Sequence, residues 1–271
     1  LGHQKLFQLA QSYKKKYNLK IGVVNFDPMP KMFFNKKLKN FRLSNIDQKI
    51  ELLGNLKVDF VITKKFDKKF SKIKALNFIT QILNKKLSSK YIFVSNNFRF
   101  GNKREGNVNL LKKYEKSFNY KVVKPEPLIK SKKIVSSSLI RNLLEKGFLN
   151  LANNLLNRNW TIQGIVKTGR QVGKKIGFPT CNIDIQDYVL AKPGVYAVKV
   201  LTKKNTKYLK GIANLGYRPT FNQKKILLEV HLFNFSGNLY NKLLSVEFLE
   251  FIRKEKKFKN INQLKTQIKK D

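Results

Sequence analysis

Apolar and polar positions recur along this chain with two different periods. In "HQKLFQLAQSYKKKY", Leu6, Leu9, Tyr13 and Tyr17 fall at helical spacing. "KIGVVNF" is then a short apolar run that predicts a buried strand ending in the turn-rich "DPMP". Ser44 with Asp47 reads as a capping box opening a helix over "NIDQKIELL", and "VDFVIT" predicts the next strand. A helix over roughly 71–86 follows, then a strand at "YIFVS". Beyond the loop "NNFRFGNKREGN" come another helix and the strand "YKVV". Such alternation of strand and helix predicts a parallel sheet covered on both faces.

Near residue 158 the period changes. From "WTIQGIVKTG" onward short strands dominate: "GVYAVKV", "YLKGIANLG", "ILLEVHLFNF" and "LLSVEFLEFI". Half of the 14 glycines (164, 169, 173, 177, 194, 211 and 216) fall in one central stretch of this part, which suits a small antiparallel barrel with tight corners. "INQLKTQIKK" predicts a closing helix. The expected organisation is therefore two abutting domains, α/β over 1–157 and all-β over 158–271.

Composition supports folded domains: 42% of residues are apolar and 12% aromatic, enough for sizeable cores. No apolar run approaches the ~18 residues of a membrane helix, and no secretion signal is legible. The single cysteine, Cys181, excludes an internal disulfide framework and points to a reducing, cytoplasmic setting. The formal charge of +41 has two readings, a nucleic-acid interface or the codon bias of an AT-rich genome. Only eight of the 57 basic residues are arginines, and the lysines are scattered without a basic tail. Bias accounts for that distribution better, and attraction of small anions follows from it. No sequence feature speaks to an oligomeric state.

Five stretches could carry chemistry. "LGHQKLF" sets Gly2 and His3 at a helix start, where a phosphate can approach closely. By itself this is a weak signal, since a lone Gly-His at a helix start is more often mere sequence. "VSNNFRFGNKREG" carries Asn97, Arg99 and Arg104 on a loop of the kind that shapes ligand pockets, a composition that exposed loops share. "IVSSSLIRNLLEKG" places Ser136, Ser137 and Ser138 before an apolar-periodic helix with Gly147 as its C-cap and Arg141 one turn inside. One serine suffices as a cap; three with an arginine would make a phosphate clamp, and both readings stand.

"GIVKTGRQVGKKIGFPTCNI" sets Gly169, Gly173 and Gly177 around a segment that could wrap a polyphosphate. Thr180 and Asn182 would supply the hard oxygens that Mg²⁺ prefers, although the spacing is not that of a P-loop. In "ILLEVHLFNF", Ile226, Leu228, Val230 and Leu232 occupy one strand face, leaving Glu229 and His231 on the other. A carboxylate there could accept a hydroxyl proton; an exposed polar pair is the simpler account.

Taken in order, these stretches resemble the bifunctional bacterial riboflavin kinase/FAD synthetase family along essentially the whole chain. "LGH" at 1–3, "NFDPMP" at 25–30, "NFRFG" at 97–101 and "VSSSLIR" at 135–141 are similar to its Rossmann-like nucleotidylyltransferase motifs. "GKKIGFPTCN" at 173–182, "GVYA" at 194–197, "NLGYRPTF" at 214–221 and "EVH" at 229–231 resemble those of its β-barrel kinase domain.

The resemblance implies two activities, phosphorylation of riboflavin to FMN and adenylylation of FMN to FAD. ATP would be the co-substrate of both and Mg²⁺ the cofactor. It implies that Glu229 is the general base, and that Thr180 and Asn182 position Mg²⁺ and the ATP phosphates. His3 would stabilise phosphates during adenylylation, Ser136, Ser137, Ser138 and Arg141 would clamp pyrophosphate, and Asn97 would hold nucleotide or FMN.

Against the family pattern, Met29 replaces a histidine, Asn25 a threonine, Ser138 a threonine and Cys181 an alanine. The first histidine of the family's H-x-G-H would precede Leu1, so the sequence reads as truncated at both ends. A kinase with a weakened first domain is the near rival to full bifunctionality, and a nucleic-acid-binding protein the distant one. Against the distant rival, six of the eight arginines (99, 104, 141, 170, 218 and 253) lie in or beside motifs.

Overall fold

The computed structural model describes residues 2–95, 97–130, 132–169, 171–185, 187–202, 207–219 and 224–271. By internal contacts the chain divides into two compact units, 1–39 with 50–135 and 40–49 with 136–271.

In the first unit, strand Gly22–Asp27 runs parallel to Phe60–Lys65, and Tyr91–Phe93 runs parallel to Lys121–Val123. Helix Gly2–Tyr17 buries Phe7 and Ala10 with Ile21 and Leu53. The apolar stripe read from Leu6, Leu9, Tyr13 and Tyr17 is thus the flank of the buried face, and Tyr17 is 43% exposed. A second cluster, centred on Ile79 and Leu111, gathers Phe78, Leu83, Ile92, Phe100 and Tyr120.

Two local expectations shift. The helix Ile46–Asn55 is opened by Asn45 and Gln48 rather than Ser44 and Asp47. Asn45 Oδ1 accepts from Gln48 N at 2.8 Å, while Asn45 N donates to Gln48 Oε1 at 3.1 Å, which is the reciprocal capping pattern one residue later. The helix expected over 71–86 is broken into Lys68–Ser71, Ala75–Asn77 and a π-wound Phe78–Lys86. The break has a cause outside the helix. Ala75 N donates to Glu105 Oε1 at 2.6 Å, so an orphan helix donor is satisfied by the 101–106 loop.

The second unit is built on a closed six-stranded barrel. Its order is Thr180–Asp184, Lys224–Leu232, Leu209–Pro219, Gly194–Thr202, Leu243–Arg253 and Trp160–Lys167, closing on Thr180–Asp184 with every pairing antiparallel. The expected barrel is present, with Thr180–Asp184 as an additional strand inside the glycine-rich stretch. Period-2 alternation fills the interior with Trp160, Ile162, Ile183, Leu215, Leu228, Val230, Val246 and Phe248, all fully buried. The segment 40–49 straps this unit: Trp160 Nε1 donates to Leu43 O at 3.1 Å, and Tyr188 bonds to Gln48.

Helix Ile261–Lys270 closes the unit with Asn260 as its N-cap. It is anchored by a forked ion pair in which Arg253 Nε and Nη2 donate to Asp271 at 2.7 and 2.6 Å. Burial alone would raise the Asp271 carboxyl, but the bonds from Arg253 and Gln267 outweigh it and hold the group below its usual value. A depressed folded pKa means that this contribution is full above the unfolded value near ~4 and is lost as pH falls through the folded one. Asp271→Ala should therefore destabilise the barrel unit by about 1.5–3 kcal/mol at neutral pH, the worth of charged hydrogen bonds. Denaturant unfolding followed by the fluorescence of Trp160, the single tryptophan, measures this, and the difference from the parent should vanish in acid.

Candidate active sites

The pairing of Thr180–Asp184 with Lys224–Leu232 sets Thr180 opposite His231, Cys181 opposite Val230 and Asn182 opposite Glu229. Directly opposed residues share a face. Ile183, Leu228 and Val230 fill the barrel core, so Thr180, Asn182, Glu229 and His231 lie together on its outer side. Cys181 takes the core side, where burial pushes its thiol up to about 11, leaving it protonated and unreactive at neutral pH.

Although on the outer side, Asn182 is only 6% exposed, because the chain folds over it. Gly169 sits directly on its amide: a Cβ there would fall 2.1 Å from Nδ2. A side chain would have to displace the amide, so the glycine is what permits this close approach. Beneath it, Asn182 Oδ1 is buried with no hydrogen-bond partner among the described residues.

The rest of the segment is a tight turn beside Thr180. Gly173 O accepts from Ile176 N and Phe178 N at 3.2 and 2.8 Å, and Gly177 N donates to Lys174 O at 3.2 Å. Those N–H groups are therefore engaged inside the turn. A Cβ on Gly173 would lie 2.3 Å from Phe178 O and 3.3 Å from Thr180 Oγ1, and Gly177 holds φ +89°. The glycines thus bring backbone against Thr180 and Asn182.

His231 ties the turn down: its Nδ1 is 2.8 Å from Pro179 O, and its ring meets Phe178 edge-on at 5.4 Å. A carbonyl only accepts, so Nδ1 carries the proton. Sequence reading left this histidine as one half of a polar pair; the signal was its shared face with Glu229. Arg170, Thr220, Phe221 and the side chain of Arg218 lie outside the described residues.

In the first unit the polar motifs sit after the carboxyl ends of the parallel strands, where open α/β sheets bind ligands. Asn25 is buried in Gly22–Asp27, and Met29 precedes the short helix Pro30–Phe34 without a side-chain cap. Asn97, exposed after Tyr91–Phe93, lines a cleft of about 390 Å³ with Arg99, Arg104 and Asn107. Gly2 opens its helix facing Val135 O, which a Cβ would approach to 3.4 Å. His3 occupies the first turn; its side chain lies outside the described residues.

Ser136 to Arg141 fall in the second unit. Ser136 Oγ accepts from Leu139 N at 3.2 Å, so the cap is Ser136, and Gly147 ends the helix at φ +84° as expected. Ser137 and Ser138 occupy the first turn. Arg141 Nε donates to Phe41 O at 2.7 Å with its guanidinium 3.7 Å over the Phe41 ring. Burial lowers its pKa from the usual arginine value.

The chain thus joins, in one polypeptide, an α/β unit with polar loops at its strand ends and a closed barrel carrying a buried amide opposite a carboxylate. Residues 1–139 match the FAD synthetase family and residues 156–271 the riboflavin kinase family. The bifunctional riboflavin kinase/FMN adenylyltransferase of Buchnera aphidicola subsp. Schizaphis graminum is 40% identical over 274 residues, covering all of this chain and 88% of its own length. The Haemophilus influenzae enzyme of the same name is 40% identical over 271 residues with the same coverage. A crystal structure described as a macrolide-efflux protein from Streptococcus pneumoniae superposes with a TM-score of 0.85 at 27% identity, over the whole chain and 88% of its own. Among the described residues no helix is long and apolar enough to cross a membrane.

The chain belongs to the bifunctional riboflavin kinase/FMN adenylyltransferase family. It phosphorylates riboflavin to FMN with ATP and adenylylates FMN to FAD, as the sequence motifs led one to expect.

Gly169→Ala tests the packing at Asn182. The added methyl must displace the amide, so riboflavin phosphorylation should fall roughly 10- to 100-fold, the scale of an ångström-level misplacement. FAD formation from supplied FMN should persist. Steady-state kinetics of both reactions on one preparation measures the split.

Proposed function

We propose that the outer barrel face around Asn182 and Glu229 is the riboflavin kinase centre, within residues 158–271, and that residues 1–157 carry the adenylyltransferase. The observation that carries the first assignment is the buried Oδ1 of Asn182, without a hydrogen-bond partner among the described residues, on the residue directly opposite Glu229. A bound ion is one partner that completes an acceptor so placed.

Thr180 and Asn182 fit a Mg²⁺ ion held together with ATP phosphates, since a hydroxyl and an amide carbonyl are the hard oxygens it takes. Bound there, Mg²⁺ would neutralise phosphate charge and orient the γ-phosphoryl group. Gly169, Gly173 and Gly177 let backbone approach the nucleotide. Glu229 takes the proton of the ribityl 5′-hydroxyl as that oxygen bonds to the γ-phosphorus, and the β–γ bridging P–O bond breaks to release ADP.

In the adenylyltransferase an FMN phosphate oxygen bonds to the α-phosphorus of ATP, the α–β bridging bond breaks, and pyrophosphate departs. His3 stabilises the developing charge, Gly2 and Asn97 hold nucleotide, and Ser136, Ser137, Ser138 and Arg141 hold the pyrophosphate. The support is the motif resemblance, with Ser137 and Ser138 not needed as the cap. The single cysteine, kept protonated by burial, suits a reducing cytoplasm.

One assay with riboflavin, ATP and Mg²⁺, resolving FMN from FAD by chromatography, tests both halves. Glu229→Gln should slow FMN formation by about 10²–10⁴-fold, the span of general-base contributions, while supplied FMN is still converted to FAD. Chelating Mg²⁺ should stop phosphorylation in the parent. A Glu229→Gln protein as fast as the parent refutes the kinase centre; FMN without FAD from the parent favours the reading with a weakened first domain.

A further inference from the structure

Glu229 has a neighbour on each side. Asn182 opposes it from Thr180–Asp184, and Asn214 opposes it from Leu209–Pro219. Directly opposed residues carry their Cβ atoms about 4.5–5.5 Å apart on one face, so Asn214 stands beside the carboxylate on the side away from Asn182. Asn214 Nδ2 donates to Glu255 Oε1 at 3.2 Å. Glu255 comes from the segment after the last barrel strand and lies flat on the strand that carries Asn214: a Cβ on Gly216 would fall 2.0 Å from its Oε1 and 2.7 Å from its Cδ. Two residues along, Arg253 is pinned by the fork to Asp271.

We propose that Glu255 is a positioning residue of the kinase, holding the Asn214 amide so that its second N–H faces Glu229. This rests on the assignment of Glu229 as the base. An asparagine amide can present its oxygen or its nitrogen, and the two differ in sign toward a carboxylate. A carboxylate only accepts, so Glu255 accepts from Nδ2 and thereby fixes which amide atom is the nitrogen. Nδ2 has a second hydrogen, and the neighbouring carboxylate that it can serve is Glu229. Reversed, the amide would present its oxygen to Glu229 and repel it. Gly216 makes the arrangement possible by leaving room for the Glu255 carboxylate. The Arg253–Asp271 fork holds the segment from which Glu255 reaches back. The base is thus oriented from outside the barrel by the chain's closing segment.

The test is the kinetics of riboflavin phosphorylation in Glu255→Ala, Glu255→Gln, Gly216→Ala, Asn214→Ala and Asn214→Ala/Glu255→Ala, with Glu229→Gln beside them. Trp160 fluorescence and its denaturant midpoint in each preparation report that the barrel is folded, and conversion of supplied FMN to FAD that the first part is. Expected for Glu255→Ala is a roughly 10-fold lower kcat, the scale of a lost orienting contact, with KM for ATP and riboflavin within about twofold. Glu255→Gln, which keeps the acceptor oxygen, should recover most of the rate. Gly216→Ala, which pushes the carboxylate off the strand, should match Glu255→Ala. The double variant should be no slower than Asn214→Ala alone, because the two act as one unit. An unchanged kcat in Glu255→Ala, a Gln variant as slow as Ala, a loss confined to KM, or multiplicative losses in the double variant would overturn the proposal. If Glu229→Gln is slow while Glu255→Ala is not, the inference fails and the base assignment stands. If Glu229→Gln is itself fast, the base assignment fails.

Discussion

The kinase half of this protein depends on one register, that between Thr180–Asp184 and Lys224–Leu232. Because side chains alternate across a strand, a slip of Thr180–Asp184 by one residue would turn Thr180 and Asn182 into the core, away from Glu229 and His231, and bring Cys181 and Ile183 out. Ile183 and the residues it packs beside, Leu228 and Val230, are fully buried, so such a slip would cost packing in the core of the barrel itself. Core packing and site geometry are therefore enforced by the same ladder.

Around that register the structure spends its glycines on approach. Gly169 lets backbone cover the Asn182 amide, and Gly216 lets the Glu255 carboxylate lie on the neighbouring strand. Both contacts press a polar group toward the row that contains Glu229. The lysines, which dominate the composition, take no comparable part: the described ion pairs at Lys14, Lys167 and Lys199 sit at half-exposed positions, where such pairs are worth little. Their excess gives the enzyme a field attractive to ATP and flavin phosphates, without shaping a site.

The likeness to riboflavin kinase and FAD synthetase families spans both halves of one chain, and that continuity has a chemical consequence. FMN is the product of one half and the substrate of the other. Both reactions move phosphorus groups from ATP, one on each of the two matched stretches.

Much of this was legible in the amino-acid order because it is local. Helical and alternating periods announced the α/β part and the barrel, Gly147 announced a helix end, and "GKKIGFPTCNI" announced itself by composition in a lysine-rich chain. The shared face of Glu229 and His231 followed from strand geometry alone. What tertiary structure decided is non-local. The capping box moved to Asn45 and Gln48, and the 71–86 helix broke where Glu105, thirty residues away, bonds to Ala75 N. Burial of an outward-facing Asn182 under Gly169, the hold of His231 on Pro179 and the reach of Glu255 to Asn214 each join residues from different elements. Periodicity reports which face of an element turns inward. Which residue of another element arrives against it depends on strand register and loop path, and these exist only once the chain has closed on itself.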